Sequence, residues 1–199
     1  MHGADQLRSR HKKKMGDPVL ERNLTHIALF AALIAVLGLV PKIDLAAGVP
    51  ITAQSLGIML CGTVLGAKRG ALAVLLFLAL VAVGLPLLAG GRGGLGVFAS
   101  PSVGFLLGFP VAAFVAGWVM EHTTLPVGWA AAAGSVLGGI AVLYVFGIIG
   151  LSIMLGKTIT EAAHLSVAYL PGDTVKVILA GVITQTLAQL RPNSVLSRA

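Results

Sequence analysis

TTLPVGWAAAAGSVLGGIAVLYVFGIIGLSIMLG, residues 123–156, contains no Asp, Glu, Lys or Arg. A helix needs about 20 mainly apolar residues to cross a bilayer, and this run exceeds that length. Residues 70–91 and 93–120 are equally free of charge. The whole chain of 199 residues is 57% hydrophobic and 11% charged, with a mean hydropathy of +0.96. Soluble domains carry about 25% charged residues, so this is the composition of an integral membrane protein. Its length accommodates roughly six spans with short loops and tails, and no appended soluble domain.

Apolar runs and breakers place the spans near 24–40, 51–67, 70–89, 102–120, 127–155 and 173–190. The expected fold is therefore all-α: a compact bundle of six transmembrane helices. Pro41 and Pro50 bracket the first loop, and Lys68-Arg69-Gly70 is expected to make a tight second turn. Gly90-Gly91-Arg92-Gly93-Gly94 forms a third loop that no regular helix should enter. The fifth loop is expected at 156–172. Residues 1–22 read as a basic, disordered tail, 23–191 as the membrane domain and 192–199 as a second tail. Residues 1–14 lack the apolar core and cleavage site of a signal peptide, and Met15 opens a more conventional amino terminus, so those residues are expected to be dispensable.

With six spans the termini share one side. That side holds ten basic residues, namely Arg8, Arg10, Lys12, Lys13, Lys14, Arg22, Lys68, Arg69, Arg191 and Arg198; the other holds Lys42, Arg92 and Lys157. The excess assigns both termini of this multi-pass chain to the cytoplasm. The same distribution explains the sequence pI of 10.1 without a nucleic-acid partner, because the basic residues flank apolar runs and lack interleaved aromatics.

Little enzyme chemistry is legible. Cys61 is the single cysteine, which excludes an internal disulfide. His26, His122 and His164 lie in separate segments without carboxylates at ligand spacing, so no metal site is expected. Ser135 and Ser152 have no histidine beside them to act as base, and bonding to helix backbone is the simpler reading. A Walker motif is missing, so ATP-driven work would fall to a partner chain.

The chemistry concentrates in Leu170-Pro171-Gly172-Asp173-Thr174-Val175-Lys176. Asp173 and Lys176 share a helix face just inside the outer boundary, where an ionisable group is costly and points to function. Two readings stay open: an Asp173 N-cap with a snorkelling lysine, or a pair that holds a neutral polar ligand. The glycine-rich loop reads on composition as a flexible connector, or, with Arg92 and its exposed amides, as a site for an anionic group. Thr52, Gln54 and Ser55 begin the second helix on the same side, Thr52 and Ser55 either as caps or as polar site residues. The 26 glycines indicate close helix packing. Ala28, Ala31, Ala32 and Ala35 form small-residue pairs that serve either internal packing or docking to another membrane protein.

Three stretches together resemble the BioY family, the biotin-binding S components of energy-coupling factor transporters. They are the run from Val49 through VPITAQSLGIMLCGTVLGAKRGALAVLLFLALVAVGLPLLAGGRGGLGVF, then Ser100-Pro101-Ser102-Val103-Gly104-Phe105 with Gly108-Phe109, and Leu170 to Lys176. The resemblance extends from about 24 to 190. It implies a non-enzymatic protein that captures biotin from outside, as a transported ligand and not a cofactor. In the family such a chain docks an EcfT-like transmembrane coupling protein driven by ABC-type ATPase subunits. Asp173 and Lys176 match the family's Pro-Gly-Asp-x-x-Lys motif, whose acid and lysine bind the ureido head group. Gln54, Gly93 and Gly94 match outer segments that close over biotin, Arg92 is the candidate for its carboxylate, and the Ala28/Ala32 and Ala31/Ala35 stripe looks like the coupling-protein surface. Gly90-Gly91-Arg92 departs from the Asn or other polar residue that members often carry near this turn. A stand-alone transporter or channel for another small solute, and a homo-oligomer, remain the alternatives.

Overall fold

The computed structural model describes residues 18–44 and 48–198. Most of the expected amino-terminal tail, including Met15, thus lies outside the described residues. Among the described residues, eight α-helices carry the fold: α1 (Pro18–Leu37), α2 (Gln54–Leu65), α3 (Ala67–Ala82), α4 (Val103–His122), α5 (Val127–Ser135), α6 (Leu143–Leu155), α7 (Ile159–Val167) and α8 (Leu170–Leu190). A π-helical stretch, Val136–Val142, joins α5 to α6 without a break in the span. Among the described residues there is no named strand, only the isolated bridges Ile43 to Ile51 and Leu88 to Arg92.

Among the described residues, three helical segments are long and apolar enough to cross a membrane: Leu20–Leu37, Val103–His122 and Val127–Leu155; α7 with α8, bent by 60°, makes a fourth when taken together. By contrast, α2 and α3 have 12 and 16 residues, about 18 and 24 Å of helix against a hydrocarbon core of about 30 Å. Uncharged sequence runs longer than helix here, because Gly84, Gly90, Gly91 and Gly94 take positive φ and turn the chain out of α3.

Three local expectations change. The second turn is made at Gly66 (φ +89), not at Lys68-Arg69-Gly70, which already belongs to α3. The stretch 156–172 is not loop throughout. Gly156 closes α6 in the left-handed conformation, and Thr158 with Glu161 forms a reciprocal capping box that starts α7. Accepting the Thr158 N–H and hydroxyl holds the Glu161 carboxyl below its usual range. Finally, Asp173 does not cap α8. That helix already begins at Leu170 with Pro171 in its first turn, leaving the Asp173 carboxylate free to reach across the bundle. At the carboxyl end Val195, Leu196 and Ser197 are buried, and Ser197 donates to the Thr63 carbonyl.

Helix α4 is the hub, in contact with α2, α3, α5 and α6. Small residues make this possible: Gly104 faces Gly150 of α6, Gly117 faces Gly66, and Gly134 faces Ala116. Without a hydrophobic force between helices in lipid, such close backbone approach maximises dispersion. A Cβ on Gly150 would lie 2.5 Å from the Gly104 Cα. Gly150→Val should therefore destabilise the fold by about 1–3 kcal/mol through overpacking. Gly96, with no atom within 4 Å of its built Cβ, is the control; equal melting of Gly150→Val and Gly96→Val in detergent would refute this account of the α4 to α6 contact.

Candidate functional site

The buried polar chemistry gathers where α2, α4 and α8 begin and α6 starts after the π stretch. Asp173 is 5% exposed. Its Oδ1 accepts from Lys176 Nζ at 2.7 Å and more weakly from Ser55 Oγ at 3.4 Å, and its Oδ2 accepts from Tyr144 Oη at 2.8 Å. Lys176 Nζ also donates to Ser55 Oγ at 2.8 Å. The three-residue spacing puts acid and lysine on one face of α8. In a low-dielectric setting each partner stabilises the charge on the other, and breaking such a pair is far costlier than at a surface.

The pair forms part of the wall of a cavity of about 70 Å³, together with Val49, Gln54, Ser55, Arg92, Phe105, Phe109, Leu143 and Tyr169. Tyr169 Oη donates to the Val49 carbonyl, and its ring meets Phe105 edge-on at 5.7 Å. Leu106 also lines the cavity. Pro110, one turn later in α4, cannot donate to the Leu106 carbonyl as an ordinary helix residue would. Pockets for drug-sized ligands run to roughly 300–1,000 Å³, so this one is contracted.

Of the residues singled out in the sequence, Asp173, Lys176, Arg92 and Gln54 converge on this one cavity. Gln54 is already committed to the protein: Nε2 donates to the Ile34 and Leu87 carbonyls, and Oε1 accepts the Ala89 N–H at 3.0 Å. It ties α1 and the third loop to α2. Arg92 spends Nε on the Ala89 carbonyl at 3.4 Å. Among the described residues the ion pairs are Lys42 with Asp44 and Lys176 with Asp173, so Arg92 has no carboxylate partner there. Gly93 and Gly94 lie outside the cavity wall. They shape the loop instead: a Cβ on Gly93 would collide with the Leu85 carbonyl, and Gly94 holds φ +80.

The alanine stripe divides. Ala28 and Ala32 are exposed, Ala31 is buried, and Ala35 is half-buried against the main core. Thr52 accepts the Gln54 N–H at 3.3 Å, a local turn contact. Sequence reasoning missed Tyr144 and Tyr169. Tyr144 is a lone phenol in the longest uncharged run, a usable signal. What it faces, however, depends on the π stretch, whose wider turn rotates every later residue about the helix axis.

Apolar helices around a small cavity, walled in part by a buried acid–lysine pair and by an arginine with no carboxylate partner among the described residues, define a helical membrane protein with a charged site in its interior. The chain belongs to the BioY family, whose sequence profile matches residues 10–193. It is 51% identical over 189 residues to the biotin transporter BioY of Rhodobacter capsulatus, covering 90% of this chain and 100% of that one. The biotin transporter BioY of Rhizobium etli is 50% identical over 81% of this chain and 90% of its own. A crystal structure of the S-component for biotin from an ECF-type ABC transporter matches with a TM-score of 0.82 and 32% identity, over 88% of this chain and 95% of that one.

Proposed function

We propose that this protein is the S component of a biotin uptake system, capturing biotin on the outer side of the membrane for transport energised by coupling and ATPase subunits. The supporting observation is the pairing, in one cavity wall, of a charge-neutral Asp173–Lys176 couple with the unpartnered cation of Arg92. Biotin offers a neutral ureido group at one end and a carboxylate at the other. A carboxylate has about four lone-pair sites; bonds from Lys176, Tyr144 and, more weakly, Ser55 leave room on Asp173 for a ureido N–H group. Lys176 spends two of its three N–H donors on Asp173 and Ser55, leaving one for the ureido oxygen. Phe105, Phe109 and Leu143 supply apolar wall for the thiophane ring and valeryl chain.

Biotin is larger than the contracted cavity, so the loops over it must move. Loop one meets loop three at Gly90, where a built Cβ would approach Lys42 Cε at 2.7 Å, and Gln54 anchors the base of both. Gly93 and Gly94 act here through loop geometry, and Gln54 as a positioning residue. We read six crossings, by α1, α2, α3, α4, α5 with α6, and α8, with both termini cytoplasmic. Ala28 and Ala32, the exposed half of the stripe, are the surface proposed for the coupling protein.

Equilibrium binding to the purified chain in detergent tests the ligand, with thiamin as the control. Selective biotin binding is expected; thiamin binding equally well, or no biotin binding by folded protein, would overturn the reading. Tyr144→Phe removes one donor to Asp173 while keeping the ring. A hydrogen bond to a charged group contributes about 1.5–3 kcal/mol, so affinity should fall about tenfold or more. Unchanged affinity would mean that Tyr144 does not position the acid.

A further inference from the structure

A second groove, of about 510 Å³, lies between the start of α3 and the end of α4. It is at the far end of the bundle from the cavity: α2 and α4 both begin at the cavity and end at the groove, and the 20 residues of α4 extend about 30 Å. Its walls are of two kinds. Phe114 and Trp118 are 41% and 50% exposed, with Trp118 stacked on His122 at 4.8 Å. Lys68 and Arg69 supply cations.

The charges facing the groove do not cancel. Glu121 is the one acid in its wall, and its Oε1 accepts the Ala67 N–H at 2.8 Å. Arg69 Nη1 donates to the Leu65 and Leu196 carbonyls, and Lys68 is exposed and in no ion pair among the described residues. His122 Nδ1 lies 2.9 Å from the Trp118 carbonyl.

We propose that this groove binds an anionic phospholipid, its headgroup phosphate at Lys68 and Arg69 and an acyl chain along Phe114 and Trp118. A soluble anion would use the cations and leave the aromatic wall unused. A zwitterionic lipid would use the wall, but its own ammonium offsets the attraction. Anionic lipids satisfy both halves, and basic pockets between helices at the cytoplasmic face recognise their headgroups. The inference rests on the proposed membrane placement of the bundle.

Trp118 is itself the probe once the other tryptophan, Trp129, is replaced by Phe. The Trp129→Phe protein is placed in mixed vesicles of phosphatidylglycerol and phosphatidylcholine, with brominated, quenching acyl chains on one lipid at a time. Brominated phosphatidylglycerol should quench Trp118 more strongly than brominated phosphatidylcholine. Lys68→Gln should cut that preference about fivefold, the expectation for one lost cation near an anionic surface. Lys68→Glu should abolish it, and retained biotin binding shows that both variants are folded. Equal quenching by the two lipids, or an unchanged preference in Lys68→Gln, would overturn the headgroup assignment alone. Loss of the preference on adding inorganic phosphate would assign the site to a soluble anion and sink the lipid proposal. Quenching by neither lipid would instead refute the membrane placement of this end, and the proposal with it.

Discussion

Asp173→Leu should abolish the proposed biotin binding, whereas Asp173→Asn should weaken it by about 10- to 100-fold. The side chains of Lys176 and Asp173 are 12% and 7% exposed, so leucine leaves an ammonium with no carboxylate and the Tyr144 hydroxyl with no acceptor. Removing one member of a buried pair costs about 3–5 kcal/mol. Asparagine keeps one acceptor oxygen of similar shape and loses the charge, and charge-assisted bonds are worth about 1.5–3 kcal/mol, which sets the tenfold to hundredfold range. Stability and binding separate when thermal melting and biotin titration are run on the same detergent samples. Leucine should lower the melting temperature and remove binding, and asparagine should affect mainly affinity. Equal affinities in the two variants would argue against any direct contact between Asp173 and the ligand.

Arg92→Gln should weaken biotin by about 10- to 100-fold while leaving biotin methyl ester nearly unaffected. The guanidinium lines the cavity but spends only Nε on a protein carbonyl, at 3.4 Å, so its remaining donors suit a carboxylate in the fork geometry that arginine favours. Esterification removes the ligand's charge and with it the reason for the cation. A titration of both ligands against both proteins forms a double cycle in which the coupling term isolates this contact. If Arg92→Gln weakened acid and ester alike, Arg92 would be shaping the loop through its Nε bond to the Ala89 carbonyl and not reading the carboxylate.

Ala67 and Gly66 illustrate why local structure resisted the sequence. Lys68-Arg69-Gly70 has the composition of a turn, yet Gly66 makes it, because Glu121, distant in sequence, accepts the first N–H of α3 at Ala67. Likewise Pro171-Gly172 looks like the end of a loop, but proline is well placed in a first helical turn, and α8 runs through it. The Thr158–Glu161 capping box was readable at its three-residue spacing and marks a helix inside the expected fifth loop. Gln54 was legible as a polar residue on the correct side, but not as a clamp, since its partners Ile34, Leu87 and Ala89 are brought to it by two other segments.

What the sequence determined by itself was the apolar, helical character of the chain and the helix face shared by Asp173 and Lys176. Where a long uncharged run crosses lipid its backbone polar groups have no water to bond, so the crossing part must be helical, and an acid three residues before a lysine on a helix shares its face. What only the tertiary structure decided was which groups meet. Tyr144 reaches Asp173 because the π stretch rotates α6, and Ala31 turns inward while Ala28 and Ala32 stay exposed because α1 packs along one stripe. Arg92 comes to the same cavity as Lys176 because glycines fold the third loop back over the bundle. Side-chain periodicity is set within a few residues of chain, whereas these meetings depend on rotations and close approaches between helices far apart in sequence.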